Sequence, residues 1–273
     1  MNRALQRMSI HTALVVMALV SIVPLVWIWA QSLRTSSATA ANPFGLEWPL
    51  RFENYVTAWN AGRFADYLLN STIVAAGTVA LVVALAFPAA YALAVLRVRW
   101  ADATFMLFLL GLMIPIWSII IPLFHQMRSL GLVNTLTGAI LVEAALGLPF
   151  AIFLLRANLR ALPRELIEAG RIDGAGDLRL MWSVVRPLAV PALGAIVVFQ
   201  FMTSWNELIV PLFFLQTDDV RTLPIGLTFF QGRFTTDTAV LAAGTTIASL
   251  PVVIIYLIFN RQFVAGLTAG ATK

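Results

Sequence analysis

Cysteine is absent from the chain, which excludes a disulfide framework, a thiolate metal site and a cysteine nucleophile. Lysine occurs once, at Lys273, so no G-x-x-x-x-G-K-[ST] phosphate loop can exist and the chain cannot hydrolyse ATP by that chemistry. The two histidines, His11 and His125, lie far apart without H-E-x-x-H spacing, which removes the usual zinc and serine–histidine sites. Charge is scarce as well: 11% of the 273 residues are charged and 60% are apolar, against about 25% and about 45–50% in soluble domains. The formal charge of +5 is carried by arginines spread over short loops between apolar runs. That is not the one-faced basic footprint of a nucleic-acid-binding protein. No internal repeat and no low-complexity segment is visible. The apolar excess calls for lipid as its solvent.

A membrane-crossing helix needs about 20 apolar residues to cover a hydrocarbon core of roughly 30 Å. Six runs meet that need, at residues 11–30, 67–95, 103–124, 136–155, 188–215 and 239–259. Prolines within them, such as Pro24, Pro88, Pro115, Pro149 and Pro251, are tolerated in a bilayer because neighbouring helices satisfy the freed backbone groups. Basic residues then set the orientation. With a cytosolic N-terminus, twelve of the eighteen lie inside and six outside, and the bias is strongest from Arg156 to Arg186. Both termini are therefore expected in the cytosol, with the connections 31–66 and 216–238 facing outward. The first run, followed by Ala38-Thr39-Ala40, has some features of a secretory signal. Its length, Trp27 and Trp29, and the polar gap before the small residues favour an uncleaved first helix. The expected fold is an all-α polytopic membrane protein, with residues 1–273 forming a single membrane domain.

The cytosolic stretch 156–187 has its own grammar. Pro163 suits the first turn of a helix and Glu165 its positive end, so a short helix is expected from about Pro163 to Ile172. Asp173, Gly174, Ala175 and Gly176 break it, and Asp177 is placed to cap a second helix running from Leu178 toward Pro187. The outcome is a two-helix elbow. Leu162, Leu166 and Ala169 or Gly170 share one side of its first helix at three- and four-residue spacing, flanked by Glu168 and Arg171. A connector helix lying on the bilayer would show a similar pattern.

Glu168-Ala169-Gly170, three residues, Gly174, nine residues, then Val184-Val185-Arg186-Pro187 resembles the signature loop of the permeases of binding-protein-dependent ABC importers. Gly170, Val184 and Arg186 depart from that family's alanine, isoleucine and leucine. Ser204-Trp205-Asn206-Glu207-Leu208 with Pro211, and the tail Gly266-Leu267-Thr268-Ala269-Gly270, are similar to its carbohydrate-uptake branch, the maltose-type second permease subunit. The resemblance implies the type I importer architecture, with six transmembrane helices and the elbow as a coupling helix seated on a cytosolic ATPase dimer. It also implies a second permease subunit, an extracytoplasmic solute-binding protein, and ATP and Mg²⁺ held by the ATPase rather than by this chain. The coupling residues would be Glu168, Ala169, Gly170, Asp173, Gly174, Ala175 and Pro187, with Gly266, Leu267, Thr268 and Gly270 as a further ATPase contact.

Two carboxylates, Glu143 and Glu207, fall inside expected spans, where charge is costly and usually faces protein or water. With Gln200, Trp205 and Asn206 they form a candidate lining for a hydroxylated solute, and Trp205 has the ring on which a sugar can stack. Asn206 and Glu207 have a simpler explanation in satisfying helix ends or contacting a partner subunit. An ion- or proton-coupled secondary transporter would instead use Glu143 and Glu207 for coupling. It would not explain the elbow. An intramembrane enzyme lacks a nucleophile–base pair.

Overall fold

The computed structural model describes residues 3–45, 47–61, 63–96, 98–233 and 237–268, with side chains over 8–45, 47–61, 63–96, 98–232 and 237–259. Among the described residues there are helices and no strands. In chain order the helices are α1 (Arg3–Ser32), α2 (Ser36–Ala41), α3 (Glu53–Ala61), α4 (Phe64–Ala94), α5 (Ala101–Leu112), α6 (Ile116–Ser129) and α7 (Leu136–Arg160). They continue with α8 (Arg164–Ile172), α9 (Asp177–Arg179), a π-helical turn (Leu180–Val185), α10 (Arg186–Trp205), α11 (Ile209–Phe214), α12 (Leu223–Arg233) and α13 (Thr238–Thr268).

Among the described residues, five segments are long and apolar enough to cross a membrane as single helices: Met8–Ser32, Phe64–Ala94, Leu136–Arg160, Asp177–Trp205 and Thr238–Phe259. The third expected span is not one rod. It is the pair α5 and α6, bent by 98°. Pro115 is the residue capping α6, with φ −69° and ψ 133°, and it offers no N–H to continue α5. Its ring also steers Ile114 away from helical geometry. The fifth span differs too: it starts at Asp177 rather than 188 and stops at Trp205 rather than 215, with residues 206–208 separating it from α11. The connection 31–66 holds α2 and α3, and 216–238 holds α12.

The residues gather into two compact units, Met1–Ala65 with Gly226–Leu250 and Asp66–Ile225 with Pro251–Lys273. In the first unit Ser36 and Asp237 are hydrogen-bonded, and Asp237 accepts from Val240 N at 3.1 Å to cap α13. Phe64 and Phe230 meet edge to face at 5.4 Å. They leave no room over Gly244, where an added Cβ would lie 2.9 Å from Phe64 Cζ.

The second unit is built on α4, α7, the π-turn and α10, whose buried faces carry Val82, Ala86, Ala144, Ala151, Ala189 and Ala192. Helices in lipid gain little from hydrophobic exclusion of one another, so close van der Waals packing through small residues holds them together. Gly77 shows the closeness: a Cβ there would sit 2.6 Å from Ile140 Cδ1. Before α7, Asn134 takes φ 60°, accepts from Gln216 N at 2.7 Å and donates its own N–H to Phe214 O at 2.7 Å. It ties the start of α7 to the end of α11, while Thr135 caps α7 by accepting from Gly138 N at 3.0 Å.

Candidate functional site

The elbow forms as the sequence implies, with two differences. Helix α8 starts at Arg164 with Pro163 as its cap residue, and Asp177 is the first residue of α9 rather than its cap. Asp177 instead lies 3.6 Å from Arg171 Nη2. The stop is a Schellman motif: Ala175 N donates to Gly170 O at 3.0 Å and Gly174 N to Arg171 O at 3.0 Å. Gly174 sits at φ 76°, a left-handed conformation that costs glycine nothing, and open space surrounds it. Asp173 is the C-cap, donating N–H to Ala169 O.

The structure divides the stripe of Leu162, Leu166 and Ala169 or Gly170 between two sides of α8. Leu162 and Ile167 lie against the core, and Gly170 receives the buried Leu180. Leu166, Ala169, Glu168 and Ile172 are exposed, Ile172 at 87%. Leu166, Ala169 and Ile172 recur every third residue along the exposed side of α8, and Leu178 in α9 is 74% exposed. Between α8 and the ends of α4 and α7 lies a cleft of about 490 Å³, edged by Arg160, Arg164, Glu168 and Arg171. Beyond α9 the chain enters the π-turn, a geometry that is rare and often found at functional sites, and Pro187 opens α10 as its second residue.

One residue that counting charges does not single out anchors the base of the elbow. Arg156 is buried, donates Nε to Leu93 O at 3.1 Å, pairs with Asp102, and holds its guanidinium 3.9 Å over the Phe105 ring. Arg160 joins Asp102 at 2.8 Å. The arrangement ties the last turn of α4 and the first turn of α5 to the last turns of α7, four residues before α8. Its sequence signal was an acidic residue at the start of one span and two arginines, one turn apart, at the end of another.

Within the spans the candidate lining divides. Glu143 is buried, and its Oε2 accepts from Ser204 Oγ and from Thr78 Oγ1 at 3.4 Å. Its Oε1 has no hydrogen-bond partner among the described residues. One turn along, the buried Gln200 amide lies against Gly147, where an added Cβ would collide with it. Glu143 and Gly147 on α7 thus face Ser204 and Gln200 on α10 in a polar seam between helices. Trp205 is buried, stacked on Phe201 at 5.4 Å. Asn206 is exposed and donates Nδ2 to Met202 O at 2.7 Å. Glu207 accepts from Ile209 N at 2.8 Å and Val210 N at 3.3 Å, capping α11. Asn206 and Glu207 thus hold the two helix ends at the break after α10. In the tail, Gly266, Leu267 and Thr268 continue α13 with side chains outside the described set, and Gly270 lies outside the described residues.

Five long apolar helices, a bent helix pair and an exposed elbow with the Glu168, Gly174 and Pro187 spacing define a multi-pass transport permease. The profile of the family described as binding-protein-dependent transport system inner membrane component matches residues 86–268, and the chain belongs to that family. It is similar to the diacetylchitobiose uptake system permease protein NgcG of Streptomyces coelicolor, 33% identical over 265 residues, covering 96% of this chain and 88% of that protein. The arabinooligosaccharides transport system permease protein AraQ of Halalkalibacterium halodurans is 34% identical over 260 residues, covering 94% and 92%. The trehalose transport system permease protein SugB of Mycobacterium tuberculosis is 33% identical over 255 residues, covering 93% and 93%. A chain from the crystal structure of a bacterial ABC transporter involved in the import of the acidic polysaccharide alginate superposes with a TM-score of 0.81. The match covers 96% of this chain and 99% of that one, and at 24% identity it speaks for the fold alone.

Proposed function

We propose that this chain is one of two permease subunits of an ABC importer for a carbohydrate, delivered by an extracytoplasmic binding protein and driven by a separate ATPase dimer. The observation that carries this is the elbow. Helix α8 turns its inner side to the core through Leu162, Ile167 and Gly170 and leaves Leu166, Glu168, Ala169 and Ile172 open. A closed membrane subunit has no internal use for an exposed helix with a fixed stop between two spans. It fits a cleft on another protein. ATP and Mg²⁺ belong to that partner, and this chain works by moving its elbow with the ATPase surface. The carbohydrate cargo is supported by the sugar named in each of the three relatives above.

The C-terminal segment from Gly266, including Leu267, Thr268 and Gly270, adds a second contact to the ATPase. Both termini lie in the cytosol, in line with the twelve-to-six split of basic residues. The second permease covers apolar surface that this chain leaves open, α1 above all, whose residues 8–27 are exposed throughout. The solute path uses Asn206 and Glu207 at the break after α10, while Glu143, Gln200 and Trp205 hold the helices that shape it.

Co-expression with a second permease and an ATPase pair tests this reading. Uptake into vesicles is expected only with ATP and with all subunits present. Concentrative uptake by vesicles holding this chain without an ATPase would overturn it. Reporters fused after Asp173 and within residues 216–238 are expected to read cytosolic and external, respectively, and the reverse would overturn the orientation.

A further inference from the structure

Helix α3 divides its surface into three stripes, each of a different chemistry. Successive residues on a helix are turned by about 100°, so positions three and four apart share a side. The first stripe is Asn54, Tyr55 and Ala58. Asn54 Nδ2 donates to Ser32 O and Arg34 O, each at 2.8 Å, the Tyr55 and Ser32 hydroxyls lie 2.6 Å apart, and Ala58 is fully buried. The second stripe is Glu53, Thr57 and Asn60, polar and exposed. The third is Phe52, just ahead of the helix, with Val56 and Trp59, which stand 64%, 62% and 41% exposed.

We propose that this third stripe rests in the bilayer at the boundary between headgroups and acyl chains, making α3 an interfacial anchor of the outer leaflet. Three observations within this unit select lipid as the occupant. The first is height. The bonds of Asn54, Tyr55 and Arg51 all reach the end of the α1 span: Ser32, Arg34, and Leu33 O, which accepts from Arg51 N at 2.8 Å. The span Met8–Ser32 ends there, so α3 lies at the level where the hydrocarbon gives way to water.

The second observation is the sharp border between the exposed stripes. An occupant wide enough to cover both would have to strip water from the Glu53 carboxylate, whose side chain is 84% exposed and whose cation, Arg51 at 3.6 Å, is 46% exposed, at a desolvation cost that so open a pair does not repay. A bilayer surface ends along a line parallel to the helix, leaving Glu53, Thr57 and Asn60 in water. The third is chemistry. Trp and Phe favour this depth, where an apolar ring and a polar edge are both satisfied. Trp48 and Phe44, in the same connection, are 83% and 85% exposed, and Phe44 meets the Trp27 ring of α1 at 6.2 Å. Burial in lipid would also steady the end of α1, whose Trp27 donates Nε1 to Pro43 O at 2.8 Å while residues 8–27 are exposed.

The absence of native cysteine makes the test direct. Single cysteines at Phe52, Val56 and Trp59, and at Glu53 and Thr57, are spin-labelled in the full transporter, whose partner subunits have been freed of reactive cysteine. The complex is reconstituted into phosphatidylethanolamine–phosphatidylglycerol vesicles, and collision rates with oxygen and with a water-soluble nickel chelate are compared. None of the five positions belongs to the anchoring stripe, so the helix keeps its bonds to Ser32 and Arg34. Oxygen is expected to dominate several-fold at 52, 56 and 59, and the nickel chelate at 53 and 57. Asn54→Ala, which removes the anchor, is expected to erase this alternation. Labels at 52, 56 and 59 that are immobile and reached by neither reagent would show a protein partner covering the stripe. Labels reached mainly by the nickel chelate would show water. Either result overturns the proposal.

Discussion

Leu180, the first residue of the π-turn, inserts its side chain where Gly170 has none, and a Cβ on Gly170 would fall 2.5 Å from Leu180 Cδ2. The fit sets how closely α8 lies against the helix that follows it. It also gives a physical reason for Gly170 at a position where the family pattern has alanine, despite a helix-interior cost of roughly 1 kcal/mol for glycine. Glycine here exchanges intrinsic helix stability for close approach.

That fit is testable by a double-mutant cycle. Gly170→Val overpacks the contact and is expected to destabilise the elbow by about 1–3 kcal/mol. Adding Leu180→Ala opens space and should recover part of the loss, with a coupling energy on the order of 1 kcal/mol. Thermal unfolding of the detergent-solubilised complex and its ATP hydrolysis rate both report it. Additive losses would show that the two side chains do not share one site.

Arg156 makes a second prediction. Its guanidinium serves Leu93 O, Asp102 and the Phe105 ring at once, a planar pattern that a lysine ammonium does not reproduce. Arg156→Ala is expected to cost about 2–3 kcal/mol, the scale of a lost hydrogen bond to a charged group and a buried cation–π contact. Arg156→Lys should recover less than half. Asp102→Asn should be milder, because that side chain is 80% exposed and its ion pairs are screened.

The polar seam separates the ATP-driven account from gradient coupling. Glu143→Gln keeps an acceptor for Ser204 and Thr78 and removes the group that can bind or release a proton, so ATP-dependent uptake should survive within about threefold, a change below 1 kcal/mol. Collapse of uptake with loss of proton dependence would favour a coupling carboxylate. Trp205→Ala, which empties a buried and stacked site, is expected to lower complex stability by about 3 kcal/mol. Lost uptake from a fully stable complex would instead return Trp205 to the solute path.

Acid should act locally on the connection 31–66. The Thr35 N–H donates to Glu47 at 2.7 Å, and with the Thr35 hydroxyl, Arg34 and Arg51 it holds this carboxyl below its ordinary value of 4.5. A depressed pKa means that the contact's stability is fully present above the unfolded value, about 4.3, and is lost as pH falls through the folded one. Hydrogen exchange in α2 should be insensitive to this contact near neutral pH and speed up below about pH 4. Glu47→Gln should remove that extra acceleration.

How far the sequence carried depends on which forces decide each feature. The existence of the spans was legible because hydrophobic length is imposed by the bilayer, and the elbow's stop was legible because only glycine takes φ 76° freely at Gly174. The 98° bend was not, since Pro115 resembles the other prolines in the spans. Pro24, Pro88, Pro149 and Pro251 all stay within single helices. Which side of α8 packs inward was not legible, because Leu162, Leu166 and Ile167 are all apolar, and packing rather than periodicity selects which are covered. Trp205 and Gln200 have side chains suited to a path, but burial against Phe201 and Gly147 is a tertiary fact.

The most direct test of the coupling account is solute-stimulated ATP hydrolysis by the full complex in proteoliposomes, comparing the parental chain with Gly174→Val. Valine at this left-handed position costs on the order of 1–3 kcal/mol of backbone strain and places a branched side chain in the open space around the elbow. The spans keep their hydrophobicity and should still insert and bind the second permease. Stimulation should fall at least about tenfold, the rate equivalent of roughly 1.4 kcal/mol, with Glu168→Ala acting in the same direction more mildly. Parental stimulation and uptake with Gly174→Val and Glu168→Ala, alone and combined, would contradict the account.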